Sequence, residues 1–325
     1  MKLRILFFIA SFLLLGASCD LGGFSLYQTK SPGGLFVSRD GGETWQILGS
    51  VTTQNGTQRV LANTDIRQVF FDPRNANHVY IVTKGNGVWE SKDKGEHVTL
   101  FLRYDVRYIA YVDTKILFAI DKRILLYDPK DGSIRTLYIH GDPNAVITRI
   151  EFSPQGTLIA LVSTGEILVS STKGESWSVA LKNNVQLEGL MVSKGTMFAY
   201  TSYGGVWSSS DGGSSWDQVS KVRVTAMGQG GAYVYMAQSG TLQKSGDNGA
   251  SWIPMTLLTK DTLPLWSIVG AKDEKVLYYA TESAFYSSRD GGVSWKSRPL
   301  PAGRKPIILQ FAPDGALYLG FHSLE

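Results

Sequence analysis

SRDGGVSW, residues 288–295, decides how this chain is read, because close copies of it recur along the sequence. SRDGGETW ends at Trp45, SSDGGSSW at Trp216 and SGDNGASW at Trp252; STKGESW reaches Trp177 with Thr172 in the Asp position, and SKDKGEHV ends in Val98 rather than Trp. The shared form is S-x-D-x-G-x-x-W. A Ser and an Asp two residues apart can accept and donate hydrogen bonds within a tight turn, a Gly supplies a positive φ, and the Trp opens the next strand. Each copy therefore predicts a hairpin whose carboxylate is consumed inside the turn.

The structural set is Ser38, Asp40, Gly42 and Trp45; Ser91, Asp93 and Gly95; Gly174 and Trp177; Ser209, Asp211, Gly213 and Trp216; Ser245, Asp247, Gly249 and Trp252; and Ser288, Asp290, Gly292 and Trp295. With the Trp position as a ruler, the copies fall at 45, 98, 177, 216, 252 and 295. The interval of 79 between 98 and 177 is twice the usual one. A degenerate repeat is therefore expected near residue 135, where YDPKDGSIRTL (residues 127–137) supplies a turn-rich hairpin. Seven repeats of about 40 residues, each with room for four short strands, predict an all-β, seven-bladed β-propeller. Its 35 glycines and 43% hydrophobic content agree with many strands joined by tight turns.

Within each repeat the strands run from innermost to outermost. IRQVFF (66–71), HVYIV (78–82) and GVWES (87–91) are the first three of the second repeat, and the run after Gly95 is the fourth. Later innermost strands are expected at the stretch ending in RYIAYV at Val112, at ITRIEF (147–152), LEGLMV (187–192), VRVTAM (222–227) and LWSIVG (265–270). The last repeat ends after two strands, in IILQFAPDGALYLGF (307–321), while the first opens directly with its third, GGLFVSRDGGETW from Gly33. Pairing these ends closes the ring and leaves no open sheet edge; FSLYQT (24–29) is the competing partner for the closing blade. The polar excess in Ser50 to Asp65 lies between an outermost and an innermost strand, on the face expected to be opposite the S-x-D-x-G turns, and is a candidate functional loop.

Residues 1–18, MKLRILFFIASFLLLGAS, read as a basic start, an apolar run too short to span a bilayer, and small residues. The single cysteine, Cys19, follows at once, so no intrachain disulfide can form. The arrangement resembles a bacterial lipoprotein signal, with Gly16 where that signal carries Leu and Leu15 one residue earlier; ordinary secretion and an uncleaved anchor are the alternatives. The resemblance implies lipidation at Cys19, a tether over 19–32, a propeller over 33–325, and a place on the extracytoplasmic side of a bacterial envelope. The formal charge of +4, lower still after removal of Lys2 and Arg4, gives no case for nucleic acid.

No metal constellation, nucleophile motif or phosphate loop is present in the sequence, and neither cofactor nor catalytic residue is expected; the four histidines are isolated. The repeats resemble Asp-box (bacterial neuraminidase) repeats. Sialidases share them, but their chemistry needs an arginine in R-I-P ahead of the first box, where this chain has KSPGGL (30–35). Seven such repeats behind a lipoprotein-like leader are similar to the photosystem II assembly and stability factors and their non-photosynthetic relatives, in which an arginine-rich face is associated with the partner. That resemblance implies a membrane-tethered scaffold for a protein or glycan partner, with Arg59, Arg103, Arg107, Lys122, Arg123, Arg304 and Lys305 as a candidate binding face. The alternative is a carbohydrate-active enzyme with paired carboxylates at the central mouth.

Overall fold

The computed structural model describes residues 33–322 apart from 55, 154, 239, 259–263 and 304. Cys19, the stretch 24–29 and Arg304 lie outside the described residues. Among those described there is no helix, and seven four-stranded antiparallel sheets form the blades of a propeller.

Blades two to seven are each built from consecutive strands, their innermost members being Ile66–Asp72, Val106–Val112, Ile147–Phe152, Gly189–Ser193, Ala226–Gly230 and Ser267–Gly270. The first blade joins the two ends of the chain. Lys305–Phe311 is its innermost strand, Leu317–His322 the second, Leu35–Ser38 the third and Gln46–Ile47 the outermost. Leu35 pairs with Gly320 and Ser38 with Leu317, so the C-terminal strand closes the ring as expected. The degenerate repeat is the third blade, where Arg123–Tyr127 and Ile134–Ile139 flank the predicted turn.

The apolar patterning follows from this stacking. Second strands such as Lys115–Ile120 (KILFAI) and Leu158–Val162 (LIALV) are buried on both faces because a neighbouring blade covers each side. Seven apolar clusters result, one between each pair of consecutive blades; Phe36 and Phe321 meet Phe285 and Tyr278 between the first and seventh.

One innermost strand lies off its expected position: in the sixth blade it is Ala226–Gly230, AMGQG, rather than residues 222–227. Packing explains the shift. A Cβ on Gly228 would meet Ile268 O at 2.0 Å, and one on Gly230 would meet Gly270 Cα at 2.4 Å. The strand is glycine-rich because its neighbour approaches so closely, and that composition hides it from β-propensity.

The insertion also departs from expectation. Ser50–Thr53 and Gly56–Arg59 form a two-stranded hairpin whose root is pinned to the second blade's S-x-D-x-G turn, not free on the opposite face. Gly49 N donates to Gly95 O (2.8 Å), Ser50 N to Glu96 O (2.9 Å), and Val98 N to Ser50 O (2.9 Å). The outermost strand of the first blade is only two residues long, so the chain leaves it early and adds to the next blade. Only the return stretch reaches the far face, where Lys84 N donates to Asp65 O (2.9 Å).

Candidate functional site

In every S-x-D-x-G turn the Ser hydroxyl donates to the Asp carboxylate and accepts the N–H of the Gly; for Ser288 these distances are 2.7 Å to Asp290 Oδ1 and 2.8 Å from Gly292 N. The same bonds recur at Ser38, Ser91, Ser209 and Ser245. At the STKGESW turn Thr172 Oγ1 takes the acceptor's place, receiving Ser176 N at 2.8 Å. Each Asp then accepts from the residue four positions on, as when Ser294 N donates to Asp290 Oδ1 (2.9 Å) and its hydroxyl to Oδ2 (2.5 Å). The carboxylates are thus occupied within their own turns. The turns also clip blade to blade, since a Cβ on Gly42 would strike the Phe285 ring of the seventh blade at 2.2 Å. The conserved geometry is therefore an inter-blade contact as well as a hairpin.

These bonds carry a pH signature. The hydroxyl and N–H of the residue four on, then the Ser hydroxyl, lower Asp211, Asp247 and Asp290 from 3.8 to about 2, and Asp40 further still. A folded-state pKa below the unfolded one stabilises the fold above the unfolded value, and that contribution is lost as pH falls toward the folded value. The melting temperature is accordingly expected to fall between about pH 4 and pH 2, and Asp290→Asn to make that fall shallower. Thermal melts across this window check it; identical slopes for the two proteins would be the contrary result.

The innermost strands surround a central channel with two different mouths. On the face bearing the S-x-D-x-G turns the mouth is a cavity of about 780 Å³ between the sixth, seventh and first blades, floored by Gly230, Gly270, Ala271 and Ala312 and edged by Gln229 and Phe311. Deeper in, a cavity of about 180 Å³ is lined by Arg67, Tyr108, Arg149, Tyr200, Met227 and Trp266, among others. Tyr200 reaches this wall from a second strand because its partner is Gly189, where a Cβ would lie 2.0 Å from the ring. Arg149 packs over the Tyr108 ring, 5.0 Å from its centroid, and the Tyr108 hydroxyl donates to Glu151 Oε1 at 2.5 Å. Burial pushes the Glu151 carboxyl up, with the Tyr108 hydrogen bond and Arg149 acting against it.

Charged side chains gather at the opposite mouth. Arg103 and Arg107 lie at the connection into the third blade and Lys122 and Arg123 at that blade's turn between second and third strands, while Lys305 begins the innermost strand of the first blade. Lys305 Nζ sits 4.2 Å over the Trp266 ring. Arg107 is 3.8 Å from Asp105, which Arg67 engages at 2.6 Å while also donating to Val106 O (2.9 Å). Burial lowers the Arg67 pKa, and the Asp105 bond opposes it. Among the described residues Arg103, Lys122 and Arg123 make no ion pair.

Of the sequence-level set, then, Arg103, Arg107, Lys122, Arg123 and Lys305 share this face. Arg59 does not join them: it pairs with Ser50 in the hairpin anchored to the second blade's turn, because the insertion follows that turn instead of the far face. The sequence reading missed Arg67, Arg149 and Arg223 and the exposed Tyr104 and Tyr203, which lie in connections or turns at this mouth or in the channel below it. Alternation could have found Arg149. ITRIEF places Arg149 and Glu151 two residues apart, on one face of an innermost strand. Among the described residues no group of three or more His, Cys, Asp and Glu side chains is placed to hold a metal ion.

No family model matches the chain, and no curated protein matches it in sequence. Solved structures share its fold. YCF48 from Cyanidioschyzon merolae is 14% identical with a TM-score of 0.64, covering 79% of this chain and 95% of its own. YCF48 bound to D1 peptide is 15% identical with a TM-score of 0.63, covering 79% and 93%. A streptogramin B lyase structure is 10% identical with a TM-score of 0.63, covering 79% and 91%. At these identities the likeness establishes the propeller and nothing finer.

Proposed function

We propose that this chain is an Asp-box propeller, tethered to an envelope membrane through a lipid on Cys19, that binds a protein partner with the face opposite its box turns. The observation carrying this reading is the composition of that face: Arg103, Lys122, Arg123 and Arg223, which make no ion pair among the described residues, together with the exposed rings of Tyr104 and Tyr203. Arginine and tyrosine are the side chains that anchor protein interfaces, and cations left without carboxylates at home suit an acidic segment. The peptide-bound YCF48 structure supports the same use of a propeller of this shape. The described chain also begins on this side, since Gly34 O accepts Phe321 N at the start of the third strand.

The reading as a carbohydrate-active enzyme has less support. Glycoside hydrolysis calls for two carboxylates across the scissile bond; among the described residues the box-face mouth is lined by one, Asp314, which Lys94 engages at 2.6 Å, and the deeper cavity by none.

The test is crosslinking in the native host, with the wild type compared with Arg103→Glu/Arg123→Glu/Arg223→Glu and with Cys19→Ala. A partner held by the wild type at low salt, and lost both in the triple variant and at high salt, is expected; equal capture by the triple variant would remove the proposed face. Palmitate labelling should vanish in Cys19→Ala, and persistence of the label would remove the lipid tether. Hydrolysis of chromogenic glycosides that is lost on changing a mouth carboxylate would favour the enzyme.

A further inference from the structure

The large mouth on the face of the S-x-D-x-G turns lies between two walls that are each fixed by bonds of their own. On one side the turns of the sixth and seventh blades are locked together: Glu274 Oε1 accepts Ala232 N at 2.6 Å, and a Cβ on Gly231 would strike Glu274 Cγ at 2.1 Å. On the other, the first blade's turn is closed by Gly315 N donating to Ala312 O at 2.9 Å, and Lys94 bridges it to the second blade by meeting Asp314 at 2.6 Å. The cavity of about 780 Å³ between these walls has a mainly apolar lining. That size and character belong to small-molecule sites, which are concave, mostly apolar and supplied with few polar groups.

We infer that this mouth binds a planar aromatic molecule carrying one negative charge. The floor sets the shape. Gly230, Gly270, Ala271 and Ala312 present main chain and at most a methyl group, a surface that a flat ring covers better than a rounded aliphatic group does, and the half-buried Phe311 adds a ring at the edge. Lys272 sets the charge. It is exposed in the seventh blade's turn, lines the cavity and makes no ion pair among the described residues. The carboxylates around it have other partners: Asp273 accepts Lys275 N (3.1 Å) and Val276 N (3.3 Å), Glu274 accepts Ala232 N, and Asp314 is met by Lys94. The other polar side chains of the lining are the amides of Gln229 and Gln310, the second already donating to Val69 O at 3.0 Å. Two amides are too few to replace the water around the hydroxyls of a sugar. The site is independent of the partner reading, since Arg103, Arg123 and Arg223 do not line it.

The experiment titrates the full chain with 2-naphthoate at fixed ionic strength, followed by the fluorescence of the naphthalene ring and by the melting temperature. The neutral control is 2-naphthamide, and the non-planar control is cyclohexanecarboxylate, read by displacement. Saturable binding and a rise in melting temperature are expected for 2-naphthoate, with each control weaker by about fivefold, the worth of one exposed charge pair or one aromatic contact. Lys272→Glu, a change at an exposed side chain, should weaken naphthoate by about fivefold or more and leave naphthamide unchanged. Ala271→Leu, which fills the floor, should weaken both. The variant Arg103→Glu/Arg123→Glu/Arg223→Glu should bind naphthoate as the wild type does, which separates failure here from failure of the partner reading. No saturation in the wild type, equal binding of either control, or equal naphthoate binding by Lys272→Glu or Ala271→Leu would each overturn the inference. If Ala271→Leu does not fold, Lys272→Glu and the two controls decide.

Discussion

Leu319→Pro should leave the protein without a cooperative unfolding transition at room temperature. Leu319 is fully buried in the strand Leu317–His322, opposite Phe36 on one side and Leu309 on the other. Proline in a central strand removes a ladder donor and clashes with its neighbours, at about 3 kcal/mol or more. Loss of the leucine from the cluster between the seventh and first blades adds about 2–5 kcal/mol. Together these approach the whole stability of a typical domain, about 5–15 kcal/mol. The damage also opens the ring, exposing strand edges that the closed circle hides. Circular dichroism with urea titration reads the effect, and a midpoint near that of the wild type would mean that the ring does not depend on its C-terminal strand.

Phe285→Ala should cost about 3–5 kcal/mol, the usual range for a buried phenylalanine. Its ring lies edge-on to Trp45 at 5.2 Å and stacks on Tyr278 at 5.5 Å, with no exposed surface. The Gly42 backbone presses on the same ring. One side chain of the seventh blade therefore supports the first blade's turn, and its removal loosens two blades at once. The urea midpoint should fall sharply with an unchanged slope, whereas Val293→Ala, 78% exposed in a neighbouring turn, should shift stability by less than about 0.5 kcal/mol. Similar midpoints for Phe285→Ala and the wild type would remove this contact from the account of how the blades adhere.

The architecture was legible because the turns are written in residues that can do little else. A Ser, an Asp and a Gly at fixed spacing make one hairpin, and their intervals count blades, including the third, which lacks the motif. What escaped was set by contacts between blades. AMGQG forms an innermost strand only because the seventh blade lies against it, and Tyr200 enters the channel only because Gly189 leaves it room. The face of the insertion was misread for a similar reason: the pairing of Ser50 with the turn at Glu96 to Val98 joins segments that no local pattern connects. The basic residues of the third blade were found from their connections alone. Arg149 was not, since a charge inside a strand reads as a solvated face until the ring is known to enclose it.

The pairing of Leu35 with Gly320 has a consequence for the order of events. Six blades are made of contacts between residues close in sequence, which form quickly; the first requires segments some 280 residues apart to meet. Loop closure over such a length is slow but adds little to the entropic cost, which grows only with the logarithm of the span. The chain can therefore assemble most of its arc early and remain unsealed until its last strand arrives. That strand acts as a check on completeness: a chain cut short of it keeps a raw edge at each end of the arc, and is distinguishable from the finished molecule by that edge.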